Sequence, residues 1–148
     1  MTEEVAGRAF PLSYWQPRSL SEIGCRVTCV EEVVVQADLA ARLYQVEGAG
    51  CLAGVSLWRG VDIPGKSLGI GIGPTRWAII HTDDEFFQTV TRGPRSGERT
   101  LRKVQFDEYL EIPGDCFIDR ELAINTVSSW MNEEVLLPAA GFSNDLFG

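Results

Sequence analysis

The sequence predicts an α+β fold, an antiparallel sheet of about five to six strands covered by two main helices. Three observations predict it. Residues 51–113 break into short apolar runs separated by turn chemistry, and the connections fall short of the dozen or so residues that a parallel crossover takes. Before that region, residues 31–46 carry apolar side chains at helical spacing. After it, residues 120–132 do the same. Strands grouped in the middle with helices at the flanks read as α+β.

Taken in order, residues 1–24 read as an irregular N-terminal segment, because Pro11, Pro17 and Gly24 interrupt any period. Arg26–Val30 has the length of a short strand. From Glu31 to Val46 the pattern turns helical, with Val35, Leu39, Leu43 and Val46 as the apolar stripe, joined by Ala40 and Tyr44. Gly48 then acts as the stop. The β-branched run Val33-Val34-Val35 favours a helix start after it. Five strands follow: Cys51–Arg59, Leu68–Ile72, Trp77–His81, Phe86–Thr91 and Leu101–Phe106. Turns at Gly60 to Gly65, Gly73-Pro74, Asp83-Asp84 and Gly93–Gly97 separate them. Pro113-Gly114 breaks the chain again, and Asp119 is placed to cap a helix over Arg120–Asn132 with the stripe Ala123, Ile124, Val127, Trp130 and Met131. Val135–Leu137 adds a candidate last strand, and residues 139–148 form a C-terminal tail. No linker divides residues 1–148, which read as a single domain.

Charge is distributed unevenly along the chain. Residues 1–105 hold twelve basic and twelve acidic side chains, whereas residues 106–148 hold Arg120 alone against nine acids. The formal net charge of −8 therefore belongs to the last third. Such a segment makes a negative field that attracts basic partners and repels nucleic acid and anionic membrane. Met1-Thr2-Glu3-Glu4 is acidic, with no signal-type apolar stretch after it and no run of membrane-spanning length, so a cytoplasmic protein is expected. There Cys25, Cys29, Cys51 and Cys116 are expected as free thiols. A tetrahedral metal site would need more ligands than these scattered thiols and the single histidine, His81, offer, so no metal is predicted.

Gly60-Val61-Asp62-Ile63-Pro64-Gly65-Lys66-Ser67 fits G-x-x-x-x-G-K-[ST], the phosphate loop of nucleotide hydrolases. That loop works because a helix starts at the lysine and aims its amide groups at the phosphates. Here Leu68 to Pro74 alternates glycine with aliphatic residues, which is strand-and-turn material, so no cofactor is expected. Gly69-x-Gly71-x-Gly73 lacks the helix of a dinucleotide fingerprint; it leaves one face of a strand bare, where another segment can approach closely. A hydrolytic triad would have to use His81, and no G-x-S-x-G elbow accompanies it. The basic cluster Arg92 to Lys103 is interrupted by Glu98 and lies beside the acidic segment, which disfavours direct nucleic-acid binding.

Acids beside large hydrophobes remain. Asp83, Asp84 and Glu85 precede Phe86-Phe87, and Asp107, Glu108 and Glu111 surround Tyr109-Leu110, with Asp115 close behind. These seven acids are the candidate partner-binding residues, since aromatic anchors ringed by charge build tight protein interfaces. The alternative for each one is a solvated acid beside a core aromatic.

From about Leu68 to Asn132 the sequence resembles the first immunity-protein family of bacterial polymorphic toxin systems. The resemblance runs through Leu68–Ile72, Trp77–His81, Asp83-Asp84, Phe86-Phe87, Gly93, Val104-Gln105-Phe106, Tyr109-Leu110-Glu111-Ile112-Pro113, Ile118, and the helix with Ile124, Val127 and Trp130. It implies a small α+β cytosolic protein that inhibits by binding a toxin, often a nucleic-acid deaminase, and it carries over no catalytic residue. The expectation is a non-enzymatic inhibitor that occludes the basic active-site face of a cognate toxin. The alternatives are a small nucleotide-binding enzyme using Gly60–Ser67 and a generic acidic adaptor.

Overall fold

Phe10, Leu12 and Tyr14 alternate inward along the first strand, β1 (Phe10–Trp15), which pairs antiparallel with β2 (Glu22–Val27). The computed structural model describes residues 9–17, 21–59, 66–93 and 100–144. Residues 10–15 and 22–24 are thus strand, not irregular. Pro11 is tolerated because the third strand joins β1 only from Leu12 onward, leaving one edge free beside the proline. The strand expected at Arg26–Val30 lies earlier, and Val30 already belongs to helix α1 (Val30–Glu47).

The α+β class holds, with a mostly antiparallel sheet and two helices. The sheet is larger than expected, with nine strands among the described residues. The main path runs β2-β1-β3-β4-β5-β6, where β3 is Leu52–Trp58, β4 Ser67–Ile72, β5 Arg76–Thr82 and β6 Gln88–Val90. β7 (Leu101–Gln105) and β8 (Tyr109–Pro113) form a hairpin, and the short β9 (Ile118–Asp119) pairs with β5. β7 also runs parallel to the start of β3, opposite Leu52 and Ala53, on the edge that β1 occupies further along.

The parity of the central strands decides the layers. Val55, Leu57, Leu68, Ile70, Trp77 and Ile79 point to one face, where α1 and α2 (Arg120–Glu133) cover them with Val33, Ala37, Val127 and Trp130. The other face carries Gly54, Gly69 and Gly71, and the β7–β8 hairpin packs there. A Cβ built on Gly69 would lie 3.3 Å from the Phe106 ring, and one on Gly71 would lie 3.3 Å from Val104. The alternating glycines therefore make the bare face expected of them. Val104 and Ile112 join Ala78, Ile80, Val90, Cys116 and Phe117 in a second core on this side.

Three details of the helices differ from expectation. α1 starts before Val33, and Glu32 steadies that start by accepting the Thr28 N–H at 2.7 Å. Its buried stripe is Val33, Ala37, Ala40 and Tyr44, while Val35, Leu39 and Val46 are half or more exposed. The alanines let the helix lie close to the sheet, and the Tyr44 hydroxyl donates to the Trp15 carbonyl at 2.7 Å. At α2, Asp119 stands at the N-cap without a capping hydrogen bond, and its carboxylate lies 3.8 Å from Arg76 Nε.

Val135–Leu137 forms no strand. It leads into a 3-10 turn, Pro138–Ala140, and Ser143 then bridges Val90 in antiparallel fashion. The part of the tail up to residue 144 thus covers the end of β6. No helix among the described residues is long and apolar enough to cross a membrane.

Candidate functional site

β5 ends at Thr82, and the chain turns back into β6 through a loop that its own first carboxylate holds together. Asp83 accepts the N–H of Glu85 and of Phe87, both at 2.9 Å, while the Phe86 N–H donates to the Asp83 carbonyl at 3.0 Å. Hydrogen bonding to Phe87 N–H, with a smaller share from Glu85, keeps the Asp83 carboxyl below its ordinary pKa. Phe86 takes φ 63°, a left-handed conformation that L residues adopt at a cost on the order of 1 kcal/mol. The result is display: Phe86 and Phe87 are 67% and 64% exposed, with Asp84 and Glu85 exposed beside them.

The β7–β8 turn is built alike. Phe106 N–H donates to the Glu108 carbonyl at 3.1 Å, and Asp107 Oδ1 accepts the Glu108 N–H at 2.9 Å. Asp107 and Glu108 stay exposed, and Tyr109 is 56% exposed with Lys103 Nζ 4.5 Å from its ring centroid.

Folding brings these two loops to one end of the sheet. Between them lies a groove of about 280 Å³ lined by Trp58, Phe106, Gly69, Ile80 and the chain at Tyr109. Ser56, Ser67 and Thr82 supply hydroxyls, and Asp107 and Glu108 stand at the rim. Thr82 and Gln88, which bracket the Phe86-Phe87 loop, also line it.

The seven sequence-predicted acids divide accordingly. Asp84 and Glu85 are exposed beside Phe86 and Phe87, Asp107 and Glu108 stand at the groove, and Asp83 shapes its loop. Glu111 lies along β8 opposite Lys103, outside the groove. Asp115 is buried, with its carboxylate 3.4 Å from Arg92 Nη2, so it presents no surface to a partner. Trp58, Phe106 and the hydroxyls are the additional residues that the geometry contributes.

Lys66 and Ser67 are the described part of the phosphate-loop pattern; Gly60 to Gly65 lie outside the described residues. β4 begins at Ser67, so a strand and not a helix follows the lysine. The Lys66 ammonium lies 2.9 Å from Glu134, which also has Arg59 Nε at 3.6 Å. Arg59 N–H donates to the Lys66 carbonyl at 3.1 Å, closing a hairpin. Glu134, Asp119 and Asp115, three of the nine acids of the last third, thus pair with cations from the first 105 residues.

A larger depression of about 660 Å³ lies at the other end of the sheet, between Tyr44, Pro74 and Leu101. Among the described residues, Arg102 and Lys103 line it and no carboxylate does, which places it apart from the predicted acids. No cluster of three or more His, Cys, Asp or Glu side chains among the described residues is placed to hold a metal ion.

His81 is half-buried on the helix side, with its ring edge-on to Phe142. Burial lowers its pKa below 6.5 and outweighs the opposing pull of Asp83 and Glu134. As pH falls, the unfolded chain takes up this proton before the folded one does. The stabilisation is therefore complete above about pH 6.5 and is lost as pH drops from there towards the folded pKa. Glu134, lowered by its hydrogen bond to Lys66, has the same sign from its ordinary value of 4.5 downward. The urea midpoint should hold from about pH 8 to 7 and decline below about 6.5. His81→Asn should flatten the upper part of that decline and leave the lower part. An unchanged profile in the variant would show that His81 is not its source.

Compared with known proteins, the chain matches no protein-family model, and no curated protein is similar to it.

Proposed function

We propose that this chain is an immunity-type inhibitor that binds a basic, nucleic-acid-acting toxin of the deaminase kind and occludes its active-site face. One observation carries the reading: Phe86 and Phe87 stand exposed in the loop after Thr82 with Asp84 and Glu85 exposed beside them, and the exposed Asp107 and Glu108 lie on the groove that Thr82 and Gln88 also line. Large aromatics held in solvent by a carboxylate-braced, left-handed loop serve no core, and they are the residue type that dominates interface energetics. A toxin acting on nucleic acid must present a cationic face to its substrate, and these exposed acids complement that face. The resemblance over Leu68–Asn132 supports the same class of partner. The nucleotide-enzyme alternative gains nothing from Lys66, whose ammonium is engaged by Glu134.

The test is co-expression with the product of the neighbouring gene, followed by binding kinetics. Neutralisation of that protein's toxicity is expected. Phe86→Ala and Phe87→Ala should each weaken binding by about 2 kcal/mol, roughly thirty-fold, chiefly through faster dissociation. Neutralising Asp84 and Glu85 should slow association and flatten its salt dependence, whereas neutralising Glu31 and Glu121, exposed on the helices, should not. If no neighbouring gene product is bound or neutralised, the reading fails.

A further inference from the structure

The groove between the two loops has a size and a chemistry that narrow what enters it. At about 280 Å³ it falls just below the roughly 300–1,000 Å³ of sites for whole small ligands, and it suits one long side chain. Trp58 and Phe106 line it, two carboxylates stand at its rim, and no cation among the described residues lines it. We infer that the groove receives an arginine side chain of the partner. This rests on the proposed function only for the owner of that arginine; the chemistry of the groove stands without it.

A planar guanidinium stacks on aromatic faces and offers five donors. Trp58 and Phe106 supply the faces, and Asp107 and Glu108 supply acceptors at the mouth. The hydroxyls of Ser56, Ser67 and Thr82 also line the groove and can accept from the remaining N–H groups. The bare face at Gly69 seats the Phe106 ring, 3.3 Å from where a Cβ would lie, and so holds that wall in place. A lysine would bring charge without the planar stacking group, and a neutral side chain would leave the carboxylates unanswered.

Titrating the isolated protein with blocked Gly-Arg-Gly peptide, followed by NMR of the Trp58 indole, tests this without any toxin. The arginine peptide should shift that indole with a dissociation constant of about 1–10 mM. The lysine peptide should bind at least about threefold more weakly, and the citrulline peptide should give no saturable shift. The double variant Asp107→Asn, Glu108→Gln should weaken arginine binding about tenfold or more. The asparagine keeps an oxygen for the Glu108 N–H bond, so the turn should stay folded, and unchanged amide spectra elsewhere would verify that. Equal shifts from citrulline, unaltered binding by a folded double variant, or no shift from arginine at about 20 mM would overturn the inference. Those results would leave neutralisation through Phe86 and Phe87 standing, while a failed toxin assay would leave the peptide result standing.

Discussion

Gly54→Ala should destabilise the protein by about 2–4 kcal/mol and loosen the β7–β8 hairpin first. A Cβ there would lie 2.7 Å from the Gln105 carbonyl oxygen and 2.7 Å from two Phe106 ring carbons. The ring has some freedom to tilt, but the carbonyl has little, since Gln105 is laddered to Ala53 on one side and to Tyr109 on the other. Relief has to come from moving β7 off β3. Gly69→Ala and Gly71→Ala meet only side-chain carbons, at 3.3 Å, and should cost about 1 kcal/mol or less. Urea denaturation gives the magnitudes, and amide exchange locates the damage. A wild-type midpoint for Gly54→Ala, or protection lost evenly over the sheet, would contradict this account.

Arg59→Ala should cost about 3 kcal/mol. Its side chain is 9% exposed and its guanidinium lies between two rings, 5.3 Å from the centroid of Phe10 and 4.9 Å from that of Trp130. It also donates to the Trp130 carbonyl, which the Glu134 N–H at the end of α2 shares at 3.0 Å, and faces Glu134. Arg59 therefore ties the end of β3 to the end of α2, and alanine leaves both a void and a weakened helix terminus. Arg59→Lys keeps the charge but not the planar group, and it should recover less than half of the loss. Indistinguishable denaturation curves for the lysine variant and the wild type would show that the stacking contributes nothing.

The features legible in the sequence are those set by near neighbours along the chain. Hairpin-length turns identify the antiparallel sheet, Gly48 ends α1 in a left-handed conformation at φ 64°, and the Gly69–Gly71 alternation marks the face that the hairpin covers. β1 has a readable alternation, Phe10-x-Leu12-x-Tyr14, which Pro11 and Pro17 obscure. The role of each acid was not legible, because it depends on what folding brings beside it. Asp115 meets Arg92, Glu134 meets Lys66, and Asp83 meets the backbone two and four residues ahead. The groove draws its lining from β3, β4, β5 and the β7–β8 turn, so no local pattern could announce it.

The two apolar stripes of α1 have the same spacing and differ only in phase. Val33, Ala37, Ala40 and Tyr44 are shadowed two residues later by Val35, Leu39, Arg42 and Val46, about 200° around the helix. Rotated by that amount, the helix would offer the sheet a second, bulkier aliphatic stripe, which is a competing packed state. Arg42 occupies the position that Ala40 holds in the native stripe, so the competing state must bury a guanidinium without a partner. That burial opens an energy gap between the two arrangements. Arg42 lies in solvent and touches little of the core, yet it determines which side of α1 the core accepts. With a leucine at that position, the helix would have two comparable ways to lie on the sheet, and the chain would lose uniqueness before it lost stability.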